Sequence, residues 1–249
     1  MIVFGYINQP VGVLSHIKFL GEAACKKVFL NPGCNLWYQT GVPGVADSLE
    51  TLETALNAIC REYDDHELLC LGHSMGAYAA LYFAAKLEAS RVLASVPELQ
   101  LNLPGSISIN HMNGRSGPNL LDILPPDLKT GISVIVGTKS PFDLEMAERL
   151  TRFPKVELWK IPCSHETFPY LRDSGRLKAI LEAFVSDGDI ACHISDLVDP
   201  DFHTGVSAKP QSHTECRPDD ADRGPSHATS LQGPDAGSIR GAVASLATN

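Results

Sequence analysis

The segment G-H-S-M-G at residues 72–76 holds the side chains of this sequence most suited to covalent chemistry. It follows an apolar run at residues 67–72 and leads directly into an Ala- and Leu-rich helical pattern. A serine at the tip of so sharp a turn is forced toward unfavourable backbone angles, and the flanking glycines let the chain pass close to itself. The turn exposes the Ser74 hydroxyl and directs the free N–H groups of the helix start, beginning with Met75, toward the same point. We therefore predict that Ser74 is a nucleophile rather than part of a plain glycine-rich connection.

The elements that must position this serine are indicated by apolar runs and helical patterns that alternate along the first part of the chain. Short apolar runs of strand length occur at residues 2–4, 27–31, 67–72, 91–96, 132–137 and 156–161. Helical periodicity occurs at residues 48–63, 76–87, 143–152 and 171–185. Apolar strands that alternate with helices predict an α/β fold, in which a mainly parallel sheet of about six strands is covered by helices on both faces.

The serine motif in its strand–turn–helix setting resembles the α/β-hydrolase superfamily, and the resemblance extends over residues 1–185. Further stretches are similar to a group of small bacterial hydrolases often associated with polysaccharide loci: WYQTGVPG (37–44), SPFDLEMAERL (140–150) and PCSHETFPYLRDSGRL (162–177). The resemblance implies a minimal α/β-hydrolase fold. It also implies a serine nucleophile, an acid and a histidine, in that order along the chain.

A serine hydroxyl becomes a strong nucleophile only when a positioned base accepts its proton. His165 follows the last predicted strand, residues 156–161, after a short loop, and so lies on the same sheet edge as Ser74. The resemblance implies the base at this position, and we predict that role for His165. His111 is the one rival, whereas His73 is predicted to pack, because neighbouring side chains on such a turn point in different directions.

The acid that orients the histidine is expected after the strand at residues 132–137, where Asp143 is the only carboxylate of the loop. A structural role competes for this residue, since Asp143 would also be the third residue of a helix that begins at Pro141. We predict Asp143 as the acid. Glu98 is the alternative, because it follows the strand at residues 91–96, where some members of the superfamily carry the acid.

An oxyanion that forms during attack on a carbonyl group requires two N–H donors. Met75 supplies one, and we predict that the backbone N–H of Tyr6, in the loop after the first strand, supplies the other. Related hydrolases often carry His-Gly-aromatic in this loop, and here Phe4 replaces the histidine. No His-Cys or His-Asp cluster has metal-ligand spacing and no Gly-rich stretch forms a phosphate loop, so we expect neither a metal nor a cofactor.

Composition argues against several classes of partner. The 249 residues carry 20 Lys and Arg against 29 Asp and Glu, a net charge of −9 without a basic run, which argues against nucleic acid or an anionic membrane surface. No segment approaches the roughly 18 apolar residues of a membrane span. The seven cysteines form no C-x-x-C pair and the N-terminus lacks a signal-peptide pattern, so we expect free thiols and a cytoplasmic location.

Residues 186–249 differ sharply from the rest of the chain. Gly, Pro and Ser are frequent, acidic residues outnumber basic ones, and Phe202 is the only aromatic residue. Such a segment buries too little apolar surface to offset its ordering entropy. The sequence therefore predicts one α/β-hydrolase domain over residues 1–185 and a mostly disordered acidic tail, with short helical turns at residues 190–197 and 239–246.

Together these residues predict a carboxylesterase-like serine hydrolase that cleaves a small-molecule carboxylic ester or thioester through an acyl-enzyme. Two alternatives stay open. One is a non-catalytic accessory protein of polysaccharide biosynthesis on a hydrolase scaffold, and the other is an acyl transferase that uses the same residues. The sequence favours no particular oligomeric state.

Overall fold

The computed structural model describes residues 1–63 and 66–202, together with the backbone of residues 245–247. Its strands are β1 (Ile2–Phe4), β2 (Lys27–Leu30), β3 (Leu69–His73), β4 (Arg91–Ser95), β5 (Gly131–Gly137), β6 (Val156–Ile161) and β7 (Ser245–Ala247). They form one sheet in the order β6-β5-β4-β3-β1-β2-β7. The first six strands are parallel to one another, as the sequence predicts, and β7 adds an antiparallel strand beside β2.

Helices cover both faces of the sheet, which confirms the predicted layers. One layer contains α2 (Leu49–Arg61), α3 (Met75–Lys86), α4 (Leu120–Ile123) and α5 (Pro141–Leu150), and the other contains α1 (Ile17–Leu20), α6 (Thr167–Asp173), α7 (Leu177–Ser186) and α8 (Ala191–Ile194). Successive side chains of a strand point to opposite faces, so Ile2 and Phe4 pack in the first layer and Val3 packs in the second. Within the described residues, none of these helices has the length and apolar character needed to cross a membrane.

The parallel arrangement determines where the candidate residues meet. Because β3, β5 and β6 run in the same direction, the segments that follow them emerge at one edge of the sheet. Ser74 follows β3, Asp143 lies in the helix that follows β5, and His165 lies in the loop that follows β6. The topology therefore brings three residues that are far apart in the chain to the same edge.

The packed region continues past residue 185, where the sequence predicts the domain to end. Ile190 and Ile194 lie four residues apart, and both side chains are buried in the layer that contains α7. Further along the chain, Asp199 accepts a hydrogen bond from the Thr138 hydroxyl at 2.7 Å. Two isoleucines on one side of a short helical turn thus hold this polar segment against the sheet.

Most of the predicted tail falls outside the described residues. This applies to the disorder predicted for residues 203–238 and to most of the helical turn predicted at residues 239–246. The last two residues of that turn belong to β7 instead. A strand can pair there because the outer edge of β2 offers unpaired backbone donors and acceptors.

Replacing Ile194 by alanine in the full chain tests whether the segment after residue 185 is part of the folded domain. The side chain is fully buried, so we expect Ile194→Ala to lower the free energy of unfolding by about 2–5 kcal/mol. Chemical denaturation measures the change, and Ser195→Ala, at an exposed position of the same segment, is the control. Equal stability of Ile194→Ala and the wild type would place the end of the domain near residue 185.

Candidate active site

Ser74 lies at the turn between β3 and α3 with a positive backbone φ of 54° and ψ of −117°, a conformation that residues other than glycine rarely adopt. A non-glycine residue in such a conformation costs on the order of 1–3 kcal/mol and is held there by its surroundings. A Cβ on Gly72 would lie 2.0 Å from the carbonyl oxygen of Gly76, and a Cβ on Gly76 would lie 2.5 Å from that of Phe4. The two glycines of the motif are therefore required by the close approach of the chain to itself.

Ser74 lines a cleft of about 560 Å³ at the edge of the sheet. Its exposed fraction is only 1%, so its hydroxyl is reached through the cleft and does not project from the surface as the turn alone suggests. The walls come from residues 6–8, residues 13–19 and the first turn of α6, and His165 lines the same cleft. A ligand in the cleft would therefore contact both side chains.

Ser74, His165 and Asp143 form one continuous chain of hydrogen bonds. The Ser74 hydroxyl donates to Nε2 of His165, with 2.8 Å between the two atoms. Nδ1 of His165 donates to Oδ2 of Asp143, also at 2.8 Å. Because an ionised carboxylate only accepts hydrogen bonds, it fixes the proton of a neutral imidazole on Nδ1 and leaves Nε2 to accept from the serine. The structure thus brings together the three residues that the sequence singles out for proton transfer.

Asp143 lies in the first turn of α5, where the sequence allows either a capping role or a contact with the histidine. The helix begins at Pro141, and Ser140 before it makes no side-chain capping bond. The Asp143 side chain is buried and its carboxylate faces the imidazole of His165. The positive end of the helix dipole also favours a carboxylate in this turn. The helix start therefore supplies the position of Asp143, while the carboxylate binds the imidazole.

Glu98, the alternative acid, binds a different part of the protein. Its carboxylate is fully buried and accepts hydrogen bonds from the N–H groups of Ile107 at 2.8 Å and Ser108 at 3.1 Å. Burial raises the pKa of Glu98, and the hydrogen bonds from these groups oppose the rise. Glu98 therefore holds the turn at residues 106–110, whereas the carboxylate hydrogen-bonded to the histidine is that of Asp143.

His111, the rival base, has other contacts. Its Nδ1 lies 3.4 Å from the side-chain amide nitrogen of Asn35, and its ring centroid is 6.1 Å from that of Trp37. Of the two histidines that the sequence offers as a base, it is His165 that is hydrogen-bonded to Ser74.

The two predicted oxyanion donors differ in their availability. Met75 is the first residue of α3, so its N–H has no carbonyl one turn earlier within the helix. The Tyr6 N–H instead donates to Oε1 of the buried Gln9 side chain at 3.3 Å. Gln9 has no recognisable signal in the sequence, because this contact depends on the path of an irregular loop. The Tyr6 N–H can bind an oxyanion only if the Gln9 carboxamide shares or releases it.

Two further histidines line the cleft, and the sequence assigns neither of them a chemical role. Burial lowers the pKa of His16 to about 4. Burial also lowers the pKa of His73, and the neighbouring His165 and His16 lower it further. Both side chains are therefore neutral near pH 7. Within the described ranges, no three His, Cys, Asp or Glu side chains are grouped as a metal site requires.

The loop that carries His165 passes very close to the end of β5. A Cβ on Gly137, the last residue of that strand, would lie 2.0 Å from the carbonyl oxygen of Ser164. The Lys139 N–H donates to the carbonyl oxygen of Cys163 at 2.9 Å. A glycine at this position therefore lets the segments that follow β5 and β6 approach, so that the side chains they carry can meet.

Comparison with solved structures identifies similar folds at low sequence identity. The capsule O-acetyltransferase of Neisseria meningitidis serogroup A matches with a TM-score of 0.54 at 15% identity, over 73% of this chain and 86% of that one. The glycosylation associate protein complex from Streptococcus agalactiae matches with a TM-score of 0.51 at 12% identity, over 75% of this chain and 41% of that one. A thermophilic esterase from Thermogutta terrifontis matches with a TM-score of 0.48 at 16% identity, over 75% of this chain and 88% of that one.

The topology and the two matches with TM-scores above 0.5 establish the fold of the protein. No known protein family and no curated protein matches the sequence. The six parallel strands, the two helical layers and the turn at Ser74 form a minimal α/β-hydrolase fold, which confirms the fold class predicted from the sequence. At these identities the structural matches establish the fold, and activity must be argued from the site.

Two glycines of β5 give a matched test of the close approach at the histidine loop. We expect Gly137→Ala to lower the free energy of unfolding by about 1–3 kcal/mol, because the new methyl group forces the loop to move. At the other end of the strand a Cβ on Gly131 would meet no atom closer than 3.7 Å, so Gly131→Ala should be tolerated. Chemical denaturation of both variants measures the difference. Equal effects of the two substitutions would contradict the close approach.

Proposed function

We propose that this protein is a serine hydrolase that cleaves a carboxylic ester or thioester through an acyl-enzyme, with Ser74, His165 and Asp143 as its catalytic triad. The continuous hydrogen-bonded chain between these three side chains is the observation that carries the proposal. A hydroxyl, an imidazole and a buried carboxylate in this order activate a serine toward a carbonyl carbon. The strained backbone of Ser74 supports the same function, since strain of this kind concentrates at active sites.

The proposed reaction moves one proton through His165 in each half. Ser74 Oγ attacks the carbonyl carbon while its proton passes to Nε2 of His165, and Asp143 stabilises the imidazolium that results. The tetrahedral intermediate then collapses, the bond to the leaving alcohol or thiol breaks, and His165 gives its proton to that leaving group. In the second half, His165 takes a proton from water as the water oxygen attacks the acyl-enzyme. It returns that proton to Ser74 as the acid is released.

Charge on the carbonyl oxygen is stabilised in this proposal by backbone N–H groups. Met75 is the first donor, because it follows the nucleophile and begins α3, whose N-terminus carries partial positive charge. Tyr6 is the second donor, and its N–H is shared with or released from Gln9 when the oxyanion forms. Removal of one such donor typically costs about 10²- to 10³-fold in kcat.

The volume and the lining of the cleft support a substrate of modest size. Its volume of about 560 Å³ lies in the range of pockets that hold small ligands. Leu14, Ile107 and Phe168 contribute apolar surface to its walls. We propose a short acyl chain that packs against these residues, in a carboxylesterase-like enzyme.

Acyl transfer is the second candidate, because the same residues catalyse it when an alcohol replaces water as the acceptor. The observation in its favour is the similarity of the fold to the capsule O-acetyltransferase. Product analysis with and without an added sugar alcohol separates the two reactions. Free acid as the sole product in both conditions supports hydrolysis, and an ester of the added alcohol supports transfer.

A screen of p-nitrophenyl esters with graded acyl chains tests the proposed hydrolysis, with Ser74→Ala as the control. We expect turnover to be highest for short chains and to disappear in Ser74→Ala, since removal of such a nucleophile costs about 10⁶-fold in kcat in a well-studied serine protease. Thermal unfolding should change little, because only one oxygen atom is lost. Substantial turnover by pure Ser74→Ala would end the proposed mechanism.

Two isosteric substitutions separate the roles of the buried carboxylates. Asp143→Asn should stay folded and lose up to about 10⁴-fold in kcat, because the amide no longer holds the Nδ1–H of His165 or supports its positive charge. Glu98→Gln keeps an oxygen that accepts from the turn at residues 106–110, so its kcat should stay within a few-fold of the wild type. Steady-state kinetics at one pH measures both. An active Asp143→Asn beside an inactive Glu98→Gln would assign the acid to Glu98.

A further inference from the structure

Three buried polar side chains beside the triad have no part in the proposed reaction. His73, Ser95 and Thr167 have exposed fractions of 7%, 0% and 0%. They border the apolar layer between the sheet and α6, which contains Leu71 and Phe168. Polar groups in such surroundings are costly unless they are hydrogen-bonded, so their partners indicate what they do.

The three side chains form a hydrogen-bonded chain of their own. His73 and Ser95 are opposite each other in the register of β3 and β4, and Nδ1 of His73 lies 3.1 Å from Oγ of Ser95. The hydroxyl of Ser95 is in turn hydrogen-bonded to that of Thr167. The chain thus connects the end of the central strands to the first residue of α6.

Two different atoms of Ser95 bind the turn of the nucleophile and, through Thr167, the loop that carries the base. Its carbonyl oxygen accepts the N–H of Ser74 at 2.8 Å, which fixes the nucleophile turn on β4. Its hydroxyl binds Thr167, whose own N–H donates to the carbonyl oxygen of His165 at 2.9 Å. One residue at the end of β4 therefore sets the position of the serine relative to the histidine loop.

We propose that Thr167, Ser95 and His73 are positioning residues that hold the loop of His165 at hydrogen-bond distance from Ser74. The inference rests on the proposed function, because it assigns these side chains to the geometry of the same triad. Productive geometry requires the proton acceptor to stay within hydrogen-bond reach, and a displacement of about 1 Å can cost about 10²-fold in rate. A hydroxyl pair in an apolar layer fixes such a distance, because few alternative partners are within reach.

His73 fits this role because it stays neutral beside the catalytic histidine. Its ring centroid lies 5.5 Å from that of His165, and burial keeps the pKa of His73 low. A neutral imidazole does not repel the imidazolium that His165 becomes during the reaction. His73 also stacks on Phe168, with 5.3 Å between ring centroids, so it packs against α6 as well as binding Ser95.

A set of threonine substitutions in the full chain tests this network. Thr167→Val keeps the shape of the side chain and removes the hydroxyl, whereas Thr167→Ser keeps the hydroxyl. Thr130→Val is the matched control, because Thr130 is also buried and its hydroxyl donates to the Ala89 carbonyl at 2.7 Å. Thr130 precedes β5 at the opposite edge of the sheet, away from Ser74.

We expect Thr167→Val to lower kcat for a p-nitrophenyl ester by about 10- to 100-fold with little change in KM. Thr167→Ser and Thr130→Val should stay within a few-fold of the wild type. The low-field NMR signal of the His165 Nδ1 proton should be sharp in the wild type and in these two variants, and broadened in Thr167→Val. Should Thr167→Val not fold, Ser95→Ala breaks the same hydroxyl pair and carries the same expectations.

Unchanged kcat and an unchanged His165 signal in Thr167→Val would overturn the positioning role, as would an equal loss in Thr130→Val. Failure of the proposed function has a different signature. In that case the wild type itself shows no turnover, while the NMR signal still reports whether Thr167 holds the loop of His165. Broadening in Thr167→Val alone would then support the network without catalysis, and no difference between the variants would overturn it.

Discussion

The strained backbone of Ser74, with its positive φ, persists because the chain around it is packed to contact distance. Glycines at 72 and 76 remove the side chains that would collide with the carbonyl groups of Gly76 and Phe4, and the Ser95 carbonyl binds the Ser74 N–H. Since β3 must pass directly into α3 at this point, the first N–H of the helix follows the serine immediately. The same constraint sets the edge of the sheet at which the histidine and the carboxylate must arrive.

Two buried carboxylates near this edge show how the surroundings determine a role. Asp143 and Glu98 both follow strands of the sheet, and both were reasonable partners for His165 on chain position alone. In the structure the Asp143 carboxylate faces an imidazole, which can become positively charged, whereas the Glu98 carboxylate accepts from neutral backbone N–H groups. A carboxylate that faces the imidazole can respond to a charge that forms there during a reaction, and one bound to a turn mainly stabilises that turn.

The sequence was informative wherever a local pattern has a local physical cause. Apolar runs between helical periods predicted the six parallel strands. The two glycines around Ser74 predicted the close approach of the chain to itself at that turn. It could not predict contacts that depend on how distant segments pack. The Gln9 carboxamide reaches the Tyr6 N–H through an irregular loop, and Thr167 meets Ser95 across 72 positions of the chain. The helical turn predicted at residues 190–197 is present, but the burial of Ile194 was not predicted, because two isoleucines in a polar segment give little compositional signal.

Covalent labelling with a fluorophosphonate tests most directly whether Ser74 is a nucleophile activated by His165. The folded full-length protein and a His165→Gln variant are incubated with the probe, digested, and mapped by mass spectrometry. The proposed mechanism predicts one phosphonyl adduct in the wild type, located on Ser74, and labelling slowed by orders of magnitude in His165→Gln. The absence of an adduct on folded wild type, or equal labelling rates in the two proteins, would contradict an activated serine and favour a non-catalytic role for this hydrolase fold.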